Sequence, residues 1–174
     1  MLVTSESVSK GTLAEQFDAF SAGYLASAGV LCQRLVDHPE EQSWPRAAAC
    51  MFQMRLAVEL FLKSAILQRS GDDTPGTHDL SQLKRRYDEL YPASAHRFNV
   101  PFTTQMVGET DPVKAEKTIR QHDRANPMDQ RFRYPVDREF EPWPGIDGCD
   151  PDTLLPTIRR LRDDLARLRS AIFG

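Results

Sequence analysis

The sequence predicts an all-α fold: a bundle of four to five helices with one proline-rich, irregular insertion ahead of the terminal helix. Three observations predict it. Apolar residues recur at three- and four-residue steps over the long stretches 12–38, 46–69 and 153–173. No segment sustains the strict alternation of a half-buried strand. Pro39, Gly71 and Pro92 close the periodic stretches, and from 125 to 151 Pro127, Pro135, Pro142, Pro144 and Pro151 crowd together.

Composition sets the outer bounds. The 174 residues are 40% apolar and 27% charged, within the range of globular chains and outside that of disordered or collagen-like ones. No apolar run approaches the roughly 20 residues that span a bilayer, and no membrane association is expected. Residues 1–7 lack the basic and apolar regions of a signal peptide, and residues 1–11 are expected to be a flexible lead-in. Cys32, Cys50 and Cys149 are an odd, widely spaced set without a Cys-x-x-Cys pair. Neither a disulfide framework nor a zinc site is indicated, and a reducing cytoplasm is the expected compartment. At this length a single domain over 1–174 is expected.

The first helix is expected from about Thr12 to His38. Thr12 followed by Glu15 reads as a capping box. Leu13, Phe17, Phe20, Tyr24, Ser27, Leu31 and Arg34/Leu35 form the expected apolar seam. Beside it, Ala19, Ala22, Gly23, Ala26, Ala28 and Gly29 keep a face small enough for another helix to approach closely. Pro39 stops the helix. Ser43-Trp44-Pro45 announces the second helix, expected over 46–69. It is so rich in apolar residues that more than one face must be buried, which makes Arg55, Glu59 and Lys63 stand out. Glu59 and Lys63 are four apart, a spacing that fits either a local ion pair or a functional pair. Cys50, in its apolar start, reads as a small core residue.

Gly71 ends that helix and a Gly/Pro-rich loop follows over 71–77. The third helix opens around His78-Asp79-Leu80, with Thr77 or Asp79 as cap and Leu80, Leu83, Tyr87 and Leu90 as its seam. Pro92 ends it. Asp111-Pro112 starts a mostly polar surface helix running to Arg124. The stretch 125–151 reads as an extended segment or ragged hairpin lying on the bundle, with Phe132, Tyr134, Phe140 and Trp143 alternating with polar residues. The terminal helix is expected over 153–173, on Ile158, Leu161, Leu165, Leu168 and Ile172, with Pro156 in or just before its first turn.

Charge is distributed unevenly. The net charge of −3 resolves into −4 over 1–44, +3 over 45–69, −3 over 70–111, +3 over 112–138 and −2 over 139–174. The 112–138 stretch holds Lys114, Lys117, Arg120, Arg124, Arg131, Arg133 and Arg138 with Phe132 and Tyr134 between them. Arginines beside aromatics suit phosphate forks and base stacking. Glu116, Asp123, Asp129 and Asp137 also offset those charges, as on an ordinary solvated face.

Several reaction classes are excluded. There is no P-loop and no Gly-x-Gly-x-x-Gly loop, and no Gly-x-Ser-x-Gly elbow. His38, His78, His96 and His122 show no zinc-binding spacing, so no metal site or cofactor is expected. His122-Asp123 is a lone pair of ligand types. His78, after a Gly/Pro turn and at a helix N-terminus, is the titratable group of most interest, either as a chemical group or as part of a cap with Asp79. Arg34 and His38 share a face at the end of the first helix, where cations also serve the helix dipole.

The run Arg55-Leu-Ala-Val-Glu59-Leu-Phe-Leu-Lys63-Ser-Ala-Ile-Leu, the Gly/Pro loop and Thr77-His78-Asp79-Leu80-Ser-Gln-Leu83 together resemble the HEPN domain. Phe132-Arg133-Tyr134-Pro135-Val-Asp137, shortly before a terminal helix, is similar to a segment of small stand-alone members. The resemblance covers about 46–91 and 130–173. It implies a helical bundle that commonly dimerises and that occurs in prokaryotic toxin–antitoxin and antiviral defence loci. Many such proteins are metal-independent RNases; others are modules that bind RNA, nucleotides or a partner protein encoded nearby. RNase members carry an Arg, four to six intervening residues, then a His. Here three residues separate Arg34 from His38, eight separate Arg69 from His78 and nine separate Arg86 from His96.

The expected function is therefore that of a dimeric binding module without the standard RNase site. Glu59, Lys63, Asp79, Arg131 and Tyr134 are its candidate binding residues, and no catalytic residue is assigned. The alternatives are a divergent metal-independent endoribonuclease using His78 and an arginine such as Arg133, and a purely structural subunit of a larger effector, which an unused apolar seam would favour.

Overall fold

The protein is described by a computed structural model, which covers residues 9–71, 76–101, 128–137, 139–142 and 148–174. The expected polar helix after Asp111-Pro112, the His122-Asp123 pair, Arg138, Trp143 and most of the 1–11 lead-in lie outside the described residues.

The chain is all-α. Among the described residues there are four long helices, α1 (Leu13–Asp37), α2 (Trp44–Ser70), α3 (Leu80–Leu90) and α5 (Pro151–Phe173). Between α3 and α5 lies the single turn α4 (Met128–Arg131). Short 3₁₀ turns occupy Pro39–Glu41 and Ser94–His96.

Local chemistry accounts for the helix ends. Thr12 Oγ1 accepts from the Glu15 N–H at 3.2 Å, and the Thr12 N–H donates to Glu15 Oε2 at 2.7 Å, closing the expected capping box. That backbone donor holds the Glu15 carboxyl below the usual carboxylate range. Gly71 closes α2 at φ 76°, in the left-handed region where a Cβ would be strained. Asp79, rather than Thr77, caps α3 by accepting from the Ser81 and Gln82 N–H groups at 2.8 and 3.3 Å. Thr77 Oγ1 instead accepts from the Asp79 N–H at 3.1 Å.

The central element is α2, which packs against α1, α3, α4 and α5 and is buried on most of its circumference. Met54, Val58, Phe61, Leu62 and Ile66 fill the core from this helix. From α3 and the segment after it, Tyr87 and Phe98 meet Phe61, with Phe98 edge-on to both rings at 5.7–5.8 Å. The Tyr87 hydroxyl donates to His96 O at 2.9 Å and the Tyr91 hydroxyl to Ala65 O at 2.9 Å. From α5, Leu155, Ile158, Leu161, Leu165 and Leu168 close the core. Arg169 ties α5 to α1 through Asp18, at 2.7 and 2.9 Å.

The face α1 buries is not the expected one. Ala14, Ser21, Leu25, Ala28, Cys32 and Leu35 face inward, whereas Leu13 and Phe20 are 51% and 54% exposed and Phe17, Tyr24 and Leu31 are half-buried. The reason is backbone proximity. The Ser21 hydroxyl donates to Ala57 O at 2.8 Å, the Ser64 hydroxyl to Ala14 O at 2.8 Å and the Cys50 thiol to Ala28 O at 3.3 Å. These three bonds require α1 and α2 to approach closely along small side chains, so large ones are turned aside. The close approach expected of α1 does occur, but of its expected small face only Ala28 is buried; Ala19, Ala22, Gly23 and Ala26 are exposed.

Two further expectations change. The terminal helix begins at Pro151, capped by Asp150, so Pro156 is its sixth residue, a turn deeper than expected. Asp150 as cap and Pro151 at the first position make the stronger start. The described part of the insertion is not wholly extended. It contains α4, followed by one antiparallel bridge between Val136 and Pro142. All three cysteines are free. Cys50 is fully buried, as expected of a core residue, and burial pushes its thiol and those of Cys32 and Cys149 above their usual value.

Pro156 is exposed and lacks the N–H that would bond to Asp152 O. Pro156→Ala is expected to raise stability by about 1–2 kcal/mol, after the unfolded-state gain that proline confers is subtracted. A thermal melt reads this as a rise of a few degrees; an unchanged or lower midpoint would show that the helix has already absorbed the defect.

Candidate functional site

The long apolar α2 carries few charges, and three of them share one face. Phe52, Arg55, Glu59 and Lys63 are spaced by three, four and four residues, which aligns them along the helix. Glu59 is 3% exposed, so its carboxylate has lost nearly all of its water and needs partners. It has three. Lys63 Nζ donates to Oε1 at 3.0 Å, Arg55 Nη1 to Oε2 at 3.4 Å, and His78 Nδ1 lies 2.8 Å from Oε1.

His78 arrives from outside the helix. Arg55 Nη2 donates to His78 O at 2.9 Å, fixing the backbone at His78 against α2. The ring then bonds to the buried carboxylate while its side chain stays 72% exposed. Because Glu59 accepts, Nδ1 is the nitrogen that donates. A buried acid therefore orients an imidazole presented to solvent, an arrangement suited to holding an anion or handling a proton. His78 does not cap α3; that role belongs to Asp79, whose Oδ2 also accepts from Gln82 Nε2 at 2.8 Å.

The second candidate pair lies further along the same helix face. The Arg133 guanidinium stacks over Phe52 and over Tyr134, 5.5 Å from each ring. Phe52 is seven residues from Glu59, about 10 Å along the axis. The arginine against His78 is thus Arg55, not Arg133. Arg131 is buried, and its neighbour Phe132 packs against Trp44 with ring centroids 6.5 Å apart. Tyr134 is 54% exposed and borders a groove of about 340 Å³ with Arg133, Gln130 and Phe140.

At the end of α1, Arg34 and Arg46 both bond to Glu41, and His38 Nδ1 lies 3.1 Å from Glu40. The hydrogen bond from Arg34 holds the Glu41 carboxyl below its usual range. Among the described residues, His38, Glu40 and Glu41 are the group whose ligand atoms fall within 4.8 Å of one another. With Glu41 committed to two arginines, this is a surface ion-pair cluster rather than a cation site.

Two contributors escaped the sequence reading. Phe52 was signalled by its place on the Arg55–Glu59–Lys63 face, but an apolar residue in an apolar helix reads as core. Phe140 had no signal beyond its alternation with polar residues.

Glu59→Gln would leave Arg55 and Lys63 largely buried with no countercharge. A loss of about 3 kcal/mol or more is expected, measured by denaturant or thermal unfolding, with partial recovery when Lys63→Met is added. Unfolding equal to that of the parent would show that the carboxylate does not hold this corner together.

No curated protein and no solved structure matches the chain. The family model of the HEPN domain matches residues 43–168, which takes in α2 to α4, most of α5, the Glu59 cluster, His78 and Arg133, and leaves α1 ahead of it. With well over half of the chain matched, including every element that builds this site, the chain belongs to the HEPN domain family.

Proposed function

We propose that the protein is a dimeric HEPN module of a prokaryotic defence or toxin–antitoxin system, which binds RNA, a nucleotide or a partner protein, without the standard RNase site. The observation that carries this reading is the Arg55–Glu59–Lys63–His78 cluster. Two cations against one carboxylate leave it net positive, and the exposed imidazole is its outward face. Both cations nearest His78 are already engaged with Glu59. They are held as structure, not poised to meet the charge of a phosphoryl transition state. Arg133 adds a second anion-binding group on the same face of α2.

One observation favours the alternative, a divergent metal-independent endoribonuclease. A carboxylate that orients an imidazole is the geometry of a positioned general base or acid. Incubating the protein with cellular RNA in EDTA, beside His78→Ala and Arg133→Ala, separates the two. The proposed module leaves RNA intact, and Arg133→Ala weakens RNA binding and flattens its salt dependence. Discrete cleavage by the parent that is lost in both variants would establish the endoribonuclease instead. His78 is mostly exposed, so its removal is expected to cost under about 1 kcal/mol of stability.

The dimer is supported by what α1 leaves uncovered. From residue 19 to residue 33 the helix has no charged side chain, and Phe20, Gly23, Ala26, Ser27 and Val30 are exposed. A Cβ at Gly23 would meet nothing within 4 Å, so a second helix can come close there. Half-buried Leu56 and Leu60 give α2 apolar surface of its own. Light scattering should give twice the 19.7 kDa chain mass, and Phe20→Glu should return the monomer. A monomeric parent at micromolar concentration would refute the dimer.

A further inference from the structure

The segment after α4 is built to present rings. The Arg133 and Tyr134 N–H groups both donate to Gln130 O, at 2.9 and 2.8 Å, which caps α4 and launches both side chains from a fixed turn. The chain then reverses through the Val136–Pro142 bridge. Asp137 holds the reversal: its Oδ1 accepts from the Glu139 and Glu141 N–H groups at 2.9 and 3.0 Å, and its own N–H donates to Glu141 O at 2.9 Å. At the tip stands Phe140, with φ at 64°, a region that bulky side chains avoid. It is also 83% exposed. A large aromatic in a left-handed turn with its ring in water has neither conformational nor burial benefit, and such strain persists where it serves a ligand.

Phe140 shares the lining of the groove with Tyr134, Arg133, Gln130 and Asp137. Resting on the RNA-binding reading above and refining it, we propose that Phe140 and Tyr134 wall a seat for an unpaired nucleobase. Arg133 takes the adjoining phosphate, so the RNA bound on this surface is single-stranded. The chemistry favours a base over an apolar peptide. Phe140 offers only a π face, which any base can cover whatever its sequence. The guanidinium, stacked on Phe52 and Tyr134, is preordered for a planar fork to phosphate. A base inside an A-form duplex is already stacked on both faces and cannot enter such a seat.

The test is fluorescence anisotropy of the full chain with a labelled single-stranded RNA about ten nucleotides long. It is compared with the same strand paired to its complement and with the same strand lacking its central bases. The parent should bind the intact single strand roughly tenfold or more tighter than either control. Phe140→Gly suits the positive φ, so the variant should melt no lower than the parent, and it should lose that preference by weakening to the level of the base-less strand. Phe140→Trp should retain it. If the parent prefers the single strand and Phe140→Gly binds it equally well, the base seat is overturned while the RNA reading survives. If the duplex binds as tightly as the single strand, the seat is also overturned. If the parent binds none of the three, the RNA reading falls and the seat falls with it.

Discussion

A carboxylate inside a helix core is the interaction on which the arrangement of this protein turns. Removing Glu59 from water costs several kcal/mol unless cations and hydrogen bonds replace its hydration. The chain supplies them from two directions. Arg55 and Lys63 come from the flanking turns of α2, and His78 comes from a segment that must fold back to reach it. The backbone bond from Arg55 to His78 O fixes that return. Asp79 follows at once as the cap of α3, so the point where α3 starts is set by the same contacts. Once placed, α3 brings Tyr87 onto Phe61. A polar constraint thereby positions part of the apolar core, and the group left at its edge is an exposed imidazole.

The α1–α2 contact shows a different economy. Three side-chain donors reach across to backbone carbonyls, which rewards close approach and excludes bulk from the contact. The large apolar residues of α1 are displaced to its flank and beyond. A surface that is uncharged, partly aromatic and dotted with small residues is the consequence. It gives a second helix both area and access. The tight intramolecular contact and the proposed intermolecular one are two results of one packing choice.

The stretch around α4 and the Val136–Pro142 bridge is the least regular part of the described chain. It contributes little to the core apart from Phe132, yet it sets Arg133 over Phe52 on the face of α2 that also carries the Glu59 cluster. The helix face thus carries the Glu59 cluster and the Arg133–Phe52 contact about two turns apart. One is a rigid, buried ion cluster with an exposed ring; the other is a guanidinium held between aromatics.

The sequence alone determined the four long helices, because period, caps and breakers are local. Thr12 with Glu15, Gly71, Asp79 and the prolines mark ends whose chemistry is complete within a few residues. The apolar excess of α2 required burial on several sides and made Arg55, Glu59 and Lys63 conspicuous, since unpaired charge cannot survive there. Only the tertiary structure decided which arc of α1 faces inward, because that helix is apolar on more than one side and backbone approach, not hydrophobicity, chose among them. It alone brought His78 to Glu59 from nineteen residues away and placed Arg55, not Arg133, beside it. It alone set Arg133 on Phe52 and Phe140 in a left-handed turn. Those outcomes depend on closing distances between elements, and no periodicity within one element records them.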